Sequence, residues 1–297
     1  MKCPICESKG IRKIYNGELK TGLLNGWTKK KYDVWQCTKC KTIWNEAYKD
    51  LSVDEFYESA EYRTRIESDV SIEAYCNKYD KDVLEKLYIT GTDIFRNKVV
   101  ADIGCGGGSF VDFLKGVAAC TVAIEPSEIY RTGLAKKGHE TFAYASLAKE
   151  KYNNAIDIIT SFDVIEHVKD PIQFLQDIFD LCSPGGQIII GTPTDYPVLR
   201  KMLGETFDRF VFQVQHPWIL SDDALKIIAG NIGFSDIRIE YKQKYGLGNL
   251  LSWLLDSTPR GDIKYDFIED VVNEAYKKSM SREGVCEYII LFGRKVV

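Results

Sequence analysis

The chain has 297 residues, 45% hydrophobic and 28% charged, with a formal net charge of −4. That length accommodates one large α/β domain plus a small module, or two ordinary domains. No apolar run reaches the ~18 residues of a membrane span. The opening MKCPICESKG lacks the apolar segment of a secretory leader, and the acidic balance disfavours nucleic acid, whose binders carry a basic excess or stripe.

Nine cysteines are present, an odd number that fits a reducing, cytoplasmic setting. Four of them form the pairs Cys3/Cys6 (CPIC) and Cys37/Cys40 (CTKC), separated by thirty residues. Each CxxC brings two thiolates to one tetrahedral Zn²⁺, and the second pair completes the shell. The run KKYDVWQC enters the second pair as a strand, so residues 1–48 read as a zinc ribbon. A four-cysteine shell has no open position, which makes the metal structural. The basic triplet at residues 29–31 reads as a solvated turn.

Residues 49–92 read as a helical connector or lid. VDEFYESAEYRTRIES is polar and aromatic, and Ile72, Tyr75, Cys76, Tyr79, Val83, Leu84 and Leu87 then fall at helical spacing. From residue 98 strands and helices alternate: KVVADIG, SFVDFLKGV, CTVAIEPS, EIYRTGLAKKG, ETFAYAS and AIDIITSFDVIEH. Asp170-Pro171 opens a helix with Asp170 as N-cap and Gln173 completing a capping box. Its apolar face is Ile172, Leu175, Ile178, Phe179 and Cys182. SPGG stops it, and QIIIGTP follows as a fifth strand. Such alternation predicts an α/β, doubly wound parallel sheet in a core of residues 93–245. Residues 246–284 form a helical insertion, a lid or an interface with a second copy, where Arg260 and Lys264 are placed to hold an anionic group of the acceptor. Residues 285–297 carry the final core strand.

The stretch VVADIGCGGGSF holds three alternating glycines, Gly104, Gly106 and Gly108. A phosphate-binding P-loop needs a lysine after its glycines, and Ser109 and Phe110 stand there instead. A dinucleotide fingerprint is spaced GxGxxG, not GxGxG. Asp102, two residues before the first glycine, would crowd a pyrophosphate and suits a cationic ligand with an α-amino group. The stretch resembles the first motif of the class I S-adenosylmethionine-dependent methyltransferases. That resemblance implies a Rossmann-like seven-stranded sheet whose last strand is antiparallel. It also implies that Glu125 grips the ribose hydroxyls with Pro126 beside it, that YAS with Ser146 meets the adenine, and that Phe162 lies beside the cofactor. LCSPGGQIIIGTP matches the motif around strand five, so the likeness runs from about residue 99 to 193.

Ribbon, core and extension together resemble a subgroup of bacterial methyltransferases acting on sugars, nucleotide-linked sugars and other small metabolites of surface-glycan or natural-product pathways. Relatives that methylate carbon carry a Tyr-His-Glu-His run. Here the place reads FQVQHPWILS, with Gln215 in place of the glutamate, which points to a hydroxyl or amine acceptor. A hydroxyl acceptor needs a base titrating near neutrality, the range of histidine. Of the three histidines, His139 in KKGHET reads as a surface turn. His216 is the first candidate base and His167 the second. Glu166 and Asp163 are carboxylates of the cofactor shell or of the framework. Two alternatives stand: an RNA methyltransferase gripping RNA through its ribbon, and a non-catalytic scaffold whose ribbon binds a partner.

Overall fold

The computed structural model describes residues 1–21, 26–49, 69–261 and 263–296. The expected connector helix over residues 53–68 lies outside them. The chain divides into two compact units that do not follow the stepwise boundaries expected along the chain. One comprises residues 1–50, 191–227 and 239–291, the other residues 51–190, 228–238 and 292–297.

In the first unit, β1 (Ile11–Lys20) and β2 (Trp27–Cys37) pair antiparallel, with Ile11 opposite Cys37 and Lys20 opposite Trp27. The basic triplet therefore lies exposed in β2, not in a turn. The sheet continues through β3 (Ile43–Asn45) to β9 (Trp218–Ile219), which pairs Ile43 with Ile219. The ribbon strands are thus two of four in a sheet that recruits residues from far along the chain. A metal knuckle of some forty residues buries little core alone. Here Leu19, Val34 and Ile43 share one core with Phe207, Phe212 and Trp253. Phe207 and Trp253 come from α8 (Glu205–Val211) and α10 (Leu247–Asp256). The short α7 (Pro197–Leu203) precedes α8, and α9 (Asp222–Ile232) and α11 (Asp270–Arg282) are the remaining helices of the carboxyl-terminal third. Arg260 and Lys264 pair with Asp256 at 2.6 Å and Asp270 at 3.0 Å, so both are engaged by carboxylates of the chain itself.

The seven-stranded sheet has the order β10-β11-β8-β7-β4-β5-β6 and is mixed, with the last strand antiparallel. Its strands are β4 (Val99–Ile103), β5 (Cys120–Ile124), β6 (Glu140–Phe142), β7 (Ile156–Phe162), β8 (Cys182–Pro193), β10 (Phe234–Lys242) and β11 (Tyr288–Lys295). β4 pairs parallel with both β5 and β7, and its residues Val100 and Ala101 are fully buried, as expected of a parallel strand covered on both faces. The helical run after residue 71 is split into α1 (Ile72–Tyr79) and α2 (Val83–Thr90) by a 3₁₀ turn. The helices α3 (Ser109–Leu114), α4 (Glu128–Lys136), α5 (Ala145–Tyr152) and α6 (Pro171–Leu181) follow β4, β5, β6 and β7. Among the described residues no helix is long and apolar enough to cross a membrane.

Local expectations around α6 hold in part. Asp170 caps it, its carboxylate accepting the N–H groups of Ile172 and Gln173 at 2.9 and 3.0 Å. Gln173 does not complete a capping box; its amide donates down the helix to Asp177 at 2.8 Å. Ile172 faces outward and Pro171, Leu175, Ile178 and Leu181 are buried. SPGG lies inside β8, where Gly185 takes a φ of 79°, so the strand begins at Cys182 directly after the helix.

His139 is not a surface residue. It is buried, with Nδ1 2.7 Å from the Thr121 hydroxyl and Nε2 2.7 Å from the Asp112 carboxylate. Burial opposes ionisation of Asp112, but His139 and Lys137 outweigh it and hold the carboxyl below its usual range. That contribution to stability is present above the unfolded carboxyl value of ~3.9 and is lost as pH falls through the lower folded value. Replacing His139 with Phe strips both partners of a hydrogen bond. Urea denaturation is expected to show a loss of about 1–3 kcal/mol; an unchanged midpoint would remove His139 from the framework.

Candidate functional site

The main site is built where β4 and β5 end side by side, with Asp102 opposite Ala123 and Ile103 opposite Ile124. The chain leaves β4 through the glycine loop. Gly104 has a φ of 75°, and a side chain there would collide with Val164. Gly106, at 56°, lies under the ring of Tyr75 from α1, so a methyl group there would collide too. Both positions need glycine for backbone conformation and for close approach. The loop then delivers the Gly106 N–H to Glu125, which sits just past β5. The Glu125 carboxylate is buried and accepts Gly106 N–H at 2.9 Å and Ser127 N–H at 3.0 Å.

Beside it opens a cavity of about 610 Å³, within the ~300–1,000 Å³ of small-molecule sites. Gly104, Glu125, Pro126 and Ser146 line it, as does His167. Ser146 lies in the first turn of α5, after Tyr144, which also lines the cavity. Among the described residues, Asp102, Gly106, Gly108 and Phe162 are not on its wall. Asp102 is buried and accepts the Thr160 hydroxyl at 2.7 Å. Burial raises its pKa, opposed by the Lys86 charge and the Thr160 hydrogen bond. Phe162 stands edge-on to Phe110 with ring centroids 6.3 Å apart.

Several residues of this site escaped the sequence. The Lys86 ammonium from α2 lies 5.4 Å from the Phe110 ring and 5.1 Å from the Phe162 ring. Only the fold brings it there, although a lysine on a helix leading into a glycine-loop strand was a visible signal. Asp170, Gln173 and Phe174 extend the cavity along the start of α6. Asp163, which the sequence did single out, is on the wall with a φ of 58°, a conformation that Asp tolerates better than most residues and that recurs at ligand sites. The Glu166 carboxylate and a His167 ring nitrogen lie within 4.8 Å of each other.

Two further groupings belong to the first unit. The Cys3, Cys6, Cys37 and Cys40 sulfurs all lie within 4.8 Å of one another, with Cys3–Cys40 at 3.6 Å and Cys6–Cys37 at 3.5 Å. Burial pushes the Cys3 and Cys40 thiols up. Burial acts on Cys37 in the same sense, but the N–H groups of Cys40 and Lys39 outweigh it and bring the thiol to about 7. His216 sits between α8 and β9, held by two neighbours. Asn45 at the end of β3 donates to the carbonyls of Gln213 (3.3 Å) and His216 (3.2 Å), and the Gln213 amide lies 3.0 Å from His216 Nδ1.

The sequence profile of the methyltransferase domain matches residues 76–239, more than half of the chain. Ubiquinone biosynthesis O-methyltransferase from Cupriavidus pinatubonensis is 29% identical over 38% of this chain and 49% of its own length. A tRNA U34 carboxymethyltransferase from Helicobacter acinonychis is 27% identical over 65% of this chain and 72% of its own. The chain spans about half the length of the first of these relatives. Phosphoethanolamine N-methyltransferase 2 of Haemonchus contortus, solved with S-adenosyl-L-methionine, superposes with a TM-score of 0.51 at 15% identity, over 83% of this chain and 60% of that one. At that identity the likeness speaks for the fold alone. The profile match, the sheet order and the glycine loop feeding Glu125 agree: the chain belongs to the class I S-adenosylmethionine-dependent methyltransferases.

Proposed function

We infer that the chain methylates a hydroxyl of a small molecule, with S-adenosylmethionine as donor. The observation that carries this reading is the buried Glu125 carboxylate at the edge of the 610 Å³ cavity, already fixed by two backbone N–H groups. A carboxylate oxygen has more than one acceptor direction, so Glu125 retains capacity for the two ribose hydroxyls, with Pro126 beside it. Ser146 and Tyr144 flank the adenine. Asp102 supplies negative charge for the α-amino end, through Gly104, Gly106 and Gly108, and Phe162 closes that side. When bound, the donor supplies a methyl group on a sulfonium, an electrophile that needs no metal activation.

The chain must then orient the acceptor and take its proton. His216 is the proposed base, with His167 second. His216 is anchored through Asn45 and Gln213. If Gln213 turns its amide to accept from Nδ1–H, Nε2 becomes the basic nitrogen; amide oxygen and nitrogen exchange by a half turn. General-base removal costs about 10²–10⁴-fold. His216→Gln is therefore expected to lower kcat by that range with little change in KM, in a radiolabelled methyl-transfer assay. Full turnover would exclude it, and the same loss in His167→Gln alone would move the role there.

The reading extends to a sugar or sugar-linked acceptor, supported by the combination of four-cysteine sheet, core and extension. RNA as acceptor is favoured by the likeness to the H. acinonychis protein, while the net charge of −4 counts against it. The nine free thiols favour a reducing, cytoplasmic setting. Exposed Leu255, Phe267 and Val271 in the 246–284 insertion support an interface with a second copy.

The four thiols suit a structural Zn²⁺. Zn–S bonds of ~2.3 Å at tetrahedral angles put sulfurs ~3.8 Å apart, close to the 3.5 and 3.6 Å found. Metal binding of this kind is folding energy. Chelation is expected to release one zinc per chain, to lower the melting temperature and to abolish methyl transfer, because His216 hangs from the same sheet. Absence of zinc by atomic emission from protein purified without chelator would contradict this.

A further inference from the structure

The first unit holds a second cavity, of about 170 Å³. Its walls are aromatic. Trp253 stands 4.9 Å from Phe207 and 4.7 Å from Phe210, and Tyr196 stands 5.6 Å from Phe207, all between ring centroids. Polar side chains share the wall with them: Thr194, Gln213, His216, Asn249 and Glu287. Glu287 is buried and accepts the Tyr245 N–H at 3.1 Å. Burial pushes its pKa up, against the Tyr245 and Gln243 hydrogen bonds. Tyr196 has a φ of 50°, a strained conformation for a bulky residue and one that clusters at ligand sites. The Thr194 hydroxyl holds it there, accepting the Tyr196 N–H at 3.1 Å and donating to the Cys286 carbonyl at 2.7 Å.

Size and chemistry together limit the occupant. An apolar cavity of ~150 Å³ holds one benzene ring. A chamber of 170 Å³ therefore has room for one six-membered ring with a small substituent. Aromatic walls suit a ring face. The Glu287 carboxylate, which already accepts the Tyr245 N–H, can accept from a ligand hydroxyl as well.

We propose that this cavity binds the acceptor as a single hydroxylated six-membered ring, in contact with Trp253 and Phe210, one hydroxyl toward His216 and a second donating to Glu287. The ring's methylation rests on the methyl-transfer reading; its binding does not. A phenolic ring and a sugar ring both carry this chemistry. The test is calorimetric titration of the whole protein, without methyl donor, with catechol and with methyl α-D-glucopyranoside. One of the two is expected to bind, and more than tenfold more weakly to Glu287→Gln and to Phe210→Ala. Binding of catechol alone assigns a phenolic ring, binding of the glucoside alone a sugar. If a ring binds but S-adenosylmethionine does not, the cavity stands and the methyl-transfer reading falls. If the donor binds and neither ring does, or both variants bind the ring as well as the parent, the cavity proposal is overturned.

Discussion

The Glu125 carboxylate, accepting the N–H groups of Gly106 and Ser127, is the contact on which the rest of the main site depends. It ties the loop after β4 to the loop after β5. The parallel pairing of those strands places the two loops side by side at the carboxyl edge of the sheet, where ligands of open α/β folds bind. The glycines serve this contact. A side chain at Gly104 or Gly106 would collide with Val164 or Tyr75. A buried carboxylate is tolerated because charge-assisted hydrogen bonds satisfy it. The same bonds fix its orientation toward the 610 Å³ cavity.

The first unit rests on a different constraint, the continuity of a sheet that begins at the cysteines. β2 carries Cys37 at its end and pairs with β3, and β3 ends in Asn45. Asn45 then holds the segment bearing His216 by side chain and main chain, its own N–H donating to the Pro217 carbonyl at 3.0 Å. The thiol cluster and the candidate base are therefore ends of one hydrogen-bonded sheet. In this account the cysteine knuckle positions a residue of the acceptor cavity without touching the acceptor.

How much of this was legible in the sequence follows from the range of each interaction. Buried strands read as short runs rich in β-branched residues, so Val99–Ile103 and Ile156–Phe162 stand out, and Asp170-Pro171 signals a helix start through contacts two and three residues away. The CxxC spacing exposed the thiol cluster for the same local reason. The pairing of Ile43 with Ile219 has no local signature, and the four-stranded sheet stayed hidden with it. His139 misled because its flanks are polar while its partners, Thr121 and Asp112, lie 18 and 27 residues away. Glu287 and Trp253 became visible only once distant segments were assembled around the second cavity.

Calorimetric titration with S-adenosylhomocysteine, comparing the parent protein with Glu125→Ala, tests the central claim most directly. The account predicts one site per chain in the parent and a loss of at least tenfold in the variant, which forfeits charge-assisted bonds of about 1.5–3 kcal/mol each. An absence of binding to the parent, or equal binding by both proteins, would contradict it.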